Sequence, residues 1–180
     1  MRASKYLFQS IFLLLLSATL VSADGNANSK RTVISENAAT EKSKIHWVSY
    51  DTGLVVAKKE SKHVFLNFTT SWCSWCKKME KDTFSKEDFI KLMNENFVAV
   101  KVYGDSNKEL NIEGFKITEK NLAKREYRIR GYPTYCFLKS DGTNLGCFSG
   151  YRPKDAMMKY LNYVKDEKYD TTKIETSKKK

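Results

Sequence analysis

Val64-Phe65-Leu66-Asn67-Phe68, followed after three residues by Trp72-Cys73-Ser74-Trp75-Cys76-Lys77-Lys78, is the stretch on which the fold turns. The apolar run predicts a buried strand from Lys62 to Thr69, and the cysteine motif then opens a helix that reaches about Asp82. Two thiols three residues apart can close a disulfide with each other, and on a helix they share one face. The thiolate is the form that attacks a disulfide, and the first turn of a helix stabilises it through unpaired N–H groups and the helix dipole. Cys73 is therefore expected to be the exposed nucleophile, with Lys77 and Lys78 adding positive charge. Cys76, one turn in and more buried, is expected to be the resolving thiol. A static disulfide or two ordinary core cysteines would be the bland alternative, and the strand before, the helix after and the flanking Trp72 and Trp75 weigh against it.

The rest of the chain reads outward from this segment. Asp51 or Thr52 can cap a helix running to about Lys59. Ser85 with Asp88 looks like a capping pair, ahead of a helix that puts Phe89, Leu92 and Met93 on one face and ends near Asn96. Phe97 to Tyr103 is a second apolar strand, and Gly104 to Ile117 reads as a long polar connection. Thr118 can cap a short helix through Tyr127, after which Gly131-Tyr132-Pro133 breaks the chain. Thr134 to Leu138 and Leu145 to Ser149 are strands around an Asp141-Gly142 turn. Pro153 starts the last helix, with Met157, Tyr160, Leu161 and Val164 on one face. The order is strand–helix–strand–helix–strand, a helix, a β-hairpin and a closing helix. It predicts an α/β fold of three layers, a mixed central sheet flanked by helices.

Trp-Cys-x-x-Cys-Lys after an apolar strand, with Gly131-Tyr132-Pro133-Thr134 later, resembles the thioredoxin fold. The stretch from Trp72 to Phe84 is closer still to the thioredoxin-like C-terminal domain of bacterial transmembrane thiol:disulfide interchange reductases, and to small exported thioredoxin-like proteins. The resemblance covers roughly residues 45 to 165. It implies that Cys73 and Cys76 are the active pair, that Pro133 is cis and lies against them, and that the backbone of Tyr132 pairs with an extended substrate segment. Trp72 and Trp75 join the site beside the thiols, Trp75 on the substrate side. The family also carries a buried aspartate six residues before the first cysteine, where this chain has Asn67. An amide cannot accept and return a proton. Glu80, four residues after Cys76 on the same face, matches an acidic residue of the reductase domain and is the candidate substitute. Ser74-Trp75 replaces the Gly-Pro of thioredoxin, which leaves the redox potential open.

Cys136 and Cys147 fall on the hairpin strands. A two-residue Asp141-Gly142 loop sets them opposite each other, within disulfide reach. A three-residue loop that includes Ser140 turns them to opposite faces, and this register, with two small core cysteines, is the preferred expectation. The ten residues between them do not fit a zinc site, and neither His46 nor His63 completes a ligand pattern. No metal is expected. Asn67-Phe68-Thr69 is formally a glycosylation acceptor, but its place in a central strand argues against use.

Arg2 and Lys5, the apolar stretch from Tyr6 to Leu20 and the small residues Val21-Ser22-Ala23 read as a secretory signal over residues 1–23. The apolar stretch is short of the roughly 20 residues of a membrane span, so no stable span is expected after its removal. Residues 24–44 read as a disordered tether, 45–165 as the folded domain and 166–180 as a basic frayed tail. The chain has 32 basic and 21 acidic residues; loss of the leader removes two basic ones, and 30 against 21 gives a net charge of +9. Lysines alternate with acidic residues, which describes a solvated surface rather than a nucleic-acid face. Export, to a periplasm or a secretory lumen, would put all four cysteines where disulfides form.

The function these features imply is exported thiol:disulfide exchange on disulfide-containing protein substrates, without a bound cofactor, recharged by a membrane or soluble thiol electron donor. The rival is a binding module of the same fold whose thiols hold copper or whose groove presents a partner. Copper-handling members of this fold normally add a histidine ligand, and both histidines here precede the motif.

Overall fold

The computed structural model describes residues 44–170. The expected leader, nearly all of the tether and the last ten residues lie outside them. Strand β1 (Trp47–Val48) leads into helix α1 (Tyr50–Glu60), then β2 (His63–Thr69) and α2 (Ser74–Met79), which widens into a π-helical turn over Glu80–Phe84. Helix α3 (Glu87–Asn96), β3 (Phe97–Tyr103), the strands β4 (Glu109–Ile112) and β5 (Phe115–Thr118), and α4 (Glu119–Asn121), with its own π-helical extension Leu122–Glu126, follow. The chain closes with β6 (Thr134–Leu138), β7 (Asn144–Ser149) and α5 (Lys154–Lys165). None of the described helices is long and apolar enough to cross a membrane.

The main sheet has the order β1-β3-β2-β6-β7, with β1, β2 and β3 parallel and β6 and β7 antiparallel. This is the three-layer α/β arrangement with a mixed sheet. Alternation along β2 sorts the core: Phe65 joins Met79, Phe84, Phe89, Tyr135 and Met157 on one face. Val64, Leu66 and Phe68 join Ala57, Val100, Leu122 and Cys136 on the other. Helices α2, α3 and α5 thus cover the first face, and α1 and α4 the second. Burying one such aliphatic or aromatic side chain is worth about 1.5–3 kcal/mol, so the four buried apolar residues of β2, Val64, Phe65, Leu66 and Phe68, anchor the strand that carries the cysteine loop.

Four expectations need correction. Helix α1 begins at Tyr50, at least two residues earlier than a cap at Asp51 or Thr52 implies, with Ser49 as its N-cap residue; Asp51 instead takes the Thr52 amide at 2.9 Å from inside the first turn. Ser85 and Asp88 do not form a capping pair, because the Ser85 hydroxyl donates to the Lys81 carbonyl (2.6 Å) and Asp88 accepts from the adjacent Phe89 amide (2.9 Å). The segment 104–117 is not a plain connection: it contains the β4–β5 hairpin, whose Leu110 and Ile117 pair across it and pack under α1.

The fourth correction concerns Cys136 and Cys147, which are bridged. The loop is the three-residue one, with Lys139 donating to Thr143 across Ser140-Asp141-Gly142 (2.8 Å). Leu138 accordingly faces Asn144, but Phe137 faces Gly146 and Cys136 faces Cys147. Leu145 is an extra residue, a β-bulge, and it shifts the register back by one. Gly146 has φ +146°, a conformation that admits glycine and few others, and so lets the bulge form there.

Past α5 the chain turns back on the domain. The Tyr169 hydroxyl pairs with His63 Nε2 at 2.6 Å, and Lys139 lies over its ring.

Candidate functional site

Where β2 ends, Thr70, Ser71 and Trp72 carry the chain to Cys73, the N-cap residue of α2. Cys73 and Cys76 are joined in a disulfide, with Cα atoms 5.3 Å apart. The Cys76 amide donates to Cys73 Sγ at 3.1 Å. This is the interaction that stabilises negative charge on that sulfur, because an N-cap acceptor takes one of the free amides of the first turn. Both cysteines are buried, Cys73 at 4% exposure and Cys76 at 7%. The expected contrast, Cys73 open and Cys76 covered, is absent in this oxidised form, in which each sulfur shields the other. The flanking tryptophans are open instead, Trp72 at 69% and Trp75 at 55%.

The Tyr132–Pro133 peptide is cis. Thr134 pairs with Phe68, which sets Pro133 level with the end of β2 and thus at the base of the cysteine loop. The Tyr132 ring meets Trp72 edge-on at 6.0 Å and lies so close to Gly104 that any Cβ there would collide with its hydroxyl. Asp105, next in the chain, accepts from the Ser71 amide (2.9 Å) and hydroxyl. Those two bonds hold its carboxyl below the usual carboxylate range.

Below the cysteines, Asn67 on β2 stands between Lys101 on β3 and Tyr135 on β6. All three are on the face that α2 covers. Asn67 is 2% exposed and its Oδ1 has no hydrogen-bond partner among the described residues; the same is true of the Tyr135 hydroxyl. Burial raises the Tyr135 phenol, with the Glu80 charge adding to it. Glu80 is exposed on the first turn of the π-helical segment and pairs with Lys101 Nζ at 2.6 Å. A cavity of about 410 Å³ elsewhere, between α1, the β4–β5 hairpin and the β6–β7 loop, lies away from the thiols. The cavity of about 390 Å³ lined by Glu80, Lys101, Trp47 and Phe84 abuts the ion pair.

Reading the sequence missed three residues of this neighbourhood. Lys101 was legible in principle, since alternation in β3 puts it on the face of Ala99. Asp105 and Tyr151 sit in loops, where no periodicity marks them. The Tyr151 ring lies 5.7 Å from Trp75, and its hydroxyl donates to Asp82 at 3.1 Å. His63 starts β2 and so lies at the other end of that strand from the thiols, and the His46 amide donates to Asn94.

A parallel strand feeding a helix that begins on the first of two cysteines, with a cis-proline loop beside them, defines a thioredoxin-type redox domain. The chain belongs to the thioredoxin-like domain family, whose model matches residues 50–165. It is 28% identical over 111 residues to the disulfide bond reductase DsbH of Chlamydia pneumoniae, covering 61% of this chain and 64% of that protein. Against the thiol:disulfide interchange protein DsbD of Campylobacter jejuni the identity is 28% over 160 residues, 85% of this chain and 26% of that one. The resemblance to interchange reductases is thereby shown. A solution structure of a thioredoxin from Thermus thermophilus superposes with a TM-score of 0.56 at 27% identity, over 67% of this chain and 87% of that one. The chain spans about 6% of the length of the mammalian relatives that match it over 46 residues.

Proposed function

We propose that this protein is an exported thiol:disulfide oxidoreductase that reduces or exchanges disulfides in other proteins, without a bound cofactor. The observation that carries the reading is the Cys76 amide aimed at Cys73 Sγ at the start of α2. In the reduced protein the Cys73 thiolate attacks one sulfur of a substrate disulfide. A Cys73–substrate bond forms, the substrate's own S–S bond breaks, and its other sulfur leaves as a thiolate that takes a proton from solvent. Cys76, once deprotonated, attacks Cys73 Sγ; the mixed disulfide breaks, the second substrate thiol leaves, and the Cys73–Cys76 bond closes. Two electrons and two protons have passed to the substrate, and a membrane or soluble thiol donor restores the dithiol.

Trp72, Tyr132, Trp75 and Pro133 frame the approach, and the backbone of Tyr132 pairs with the substrate segment. Glu80 takes the proton from Cys76, since Asn67 cannot. Its ion pair with Lys101 fixes the carboxylate on the α2 side of the sheet. Export is supported by the second disulfide, Cys136–Cys147, a bond that persists in oxidising compartments.

The test is reduction of insulin disulfides by the purified dithiol protein, with Cys76→Ser as a trap. Cys76→Ser is expected to accumulate substrates as mixed disulfides on Cys73. Failure of the wild type to reduce insulin or any disulfide reporter removes the enzyme reading.

A further inference from the structure

Around the redox helix the lysines are matched by carboxylates: Lys78 reaches Asp82 at 2.7 Å and Lys101 reaches Glu80 at 2.6 Å. The run that leads from α4 to the cis-proline loop is different. Lys120, Lys124, Arg125, Arg128 and Arg130 are all exposed, and none of the five forms an ion pair among the described residues. Of the two acidic residues in the run, Glu119 is buried and only Glu126 is exposed. Three of the four arginines among the described residues fall between positions 125 and 130.

The fold turns this run into one outward face. Leu122 and Ala123 are buried in the second core layer, and Tyr127 and Ile129 pack against it, which leaves the cations between them on the solvent side. The Tyr127 amide donates to the Leu122 carbonyl (3.1 Å) and the Ile129 amide to the Ala123 carbonyl (2.9 Å), folding the following residues back on α4. Arg128 makes that turn at φ 51°, in the left-handed region that glycine and asparagine enter more readily. Arg130 stands three residues before Pro133, so at most about 11 Å of chain separates it from the cis-proline loop. That is close to the range of a charge at about 0.1 M salt. The Thr134 hydroxyl, donating to the Gly131 carbonyl at 2.7 Å, fixes the link between the two.

We infer that this basic face is a docking surface for an acidic polypeptide segment of the partner that exchanges disulfides at Cys73. The inference rests on the exchange reaction proposed above and names the class of partner for that site. The surface borders the redox loop, so whatever it gathers must present a sulfur to Cys73, which a polypeptide does and a lipid headgroup does not. The planar fork of arginine suits carboxylates in particular. Charge complementarity of this kind raises the rate of encounter and selects among partners.

The experiment uses two peptides, each with one central cysteine linked by a disulfide to thionitrobenzoate and flanked on both sides by Glu-rich segments in one and Gln-rich segments in the other. The reduced protein attacks the mixed disulfide and the coloured thiolate leaves. The readout is the ratio of kcat/KM between the two peptides within each protein, so the folded fraction cancels. The wild type is expected to favour the acidic peptide about tenfold at low salt, and the ratio should fall towards one at about 1 M salt. Arg125→Gln/Arg128→Gly/Arg130→Gln should bring the low-salt ratio close to one; glycine at 128 also suits the backbone there. Lys86→Gln/Lys91→Gln/Lys159→Gln, which removes the same net charge from exposed positions outside this run, should keep it. A wild-type ratio near one, a ratio that survives high salt, or an equal loss in both triple variants overturns the docking surface while leaving the exchange activity standing. A wild-type ratio near one together with binding to phosphatidylglycerol vesicles that the arginine variant loses would assign the face to lipid and overturn the polypeptide partner. Wild-type inactivity on both peptides overturns the exchange reading and this inference together.

Discussion

At the scale of single residues, the chemistry of the site rests on who can hold a proton. Asn67 occupies the buried place beneath α2 and offers only an amide, while its two sheet neighbours, Lys101 and Tyr135, bring a cation and a phenol that burial holds in its neutral form. Glu80 reaches this row through its ion pair with Lys101. Lys101 is the more enclosed partner, its side chain 16% exposed against 45% for Glu80, and it also lies 4.5 Å from the Trp47 ring centroid. The ion pair is half open to water, so its contribution to stability is small, about 0–1 kcal/mol, and its value lies in orientation. Glu80→Gln should therefore leave unfolding almost unchanged while slowing the second step, attack of Cys76 on the mixed disulfide, by roughly a hundredfold. Rapid-quench trapping of the Cys73–substrate species should show it accumulating in Glu80→Gln; equal levels in both proteins would assign the proton to another group. The position of Glu80 was readable from its spacing after Cys76. Its partner was not read, because which strand residue a helix residue meets depends on how the helix packs over the sheet, which neither segment states alone.

At the scale of elements, the strands and helices with long apolar patterns were readable, and the corrections fall on short or irregular pieces. β4 and β5 have four residues each and alternate one buried residue with Glu, Lys or Asn, too short a period to separate from a polar loop. The β6–β7 register could not be read because the bulge at Leu145 adds one residue that no turn rule counts. The bulge has a further consequence. Cys147 is on the edge strand, and its bond to Cys136 pins that strand to the sheet at the point where the ladder is disrupted. Closing a loop with a sequence separation of 11 should contribute about 2–3 kcal/mol through the entropy of the unfolded chain. The double variant Cys136→Ala/Cys147→Ala is expected to lose about that much in urea unfolding. Gly146→Ala should also destabilise, and by backbone conformation alone, since an added Cβ there would meet nothing within 4 Å. An unchanged unfolding midpoint in the double variant would mean that the strand is held by its ladder and not by the bond.

At the scale of the whole molecule, the two disulfides stand in different surroundings, one at the start of α2 and the other across β6 and β7. Cys73–Cys76 closes at a helix start, where the amide of Cys76 donates to Cys73 Sγ, the sulfur proposed above as the nucleophile. Cys136 is fully buried among Val64, Leu66, Ala123 and Leu138, and attack on the exposed sulfur of Cys147 would have to expel Cys136 as a thiolate into that apolar layer. Desolvation raises a buried thiol's pKa, and a leaving thiol of higher pKa leaves more slowly. The site bond should therefore open first and the hairpin bond only when the core opens with it. Titration of the native protein with glutathione buffers, quenched by alkylation and read by mass spectrometry, is expected to show two modified cysteines, Cys73 and Cys76, across the whole native range. All four should be modified only under denaturant. Four modified thiols in the folded protein at the same poise would show that the apolar layer does not protect the hairpin bond, and would make the protein a carrier of four electrons rather than two.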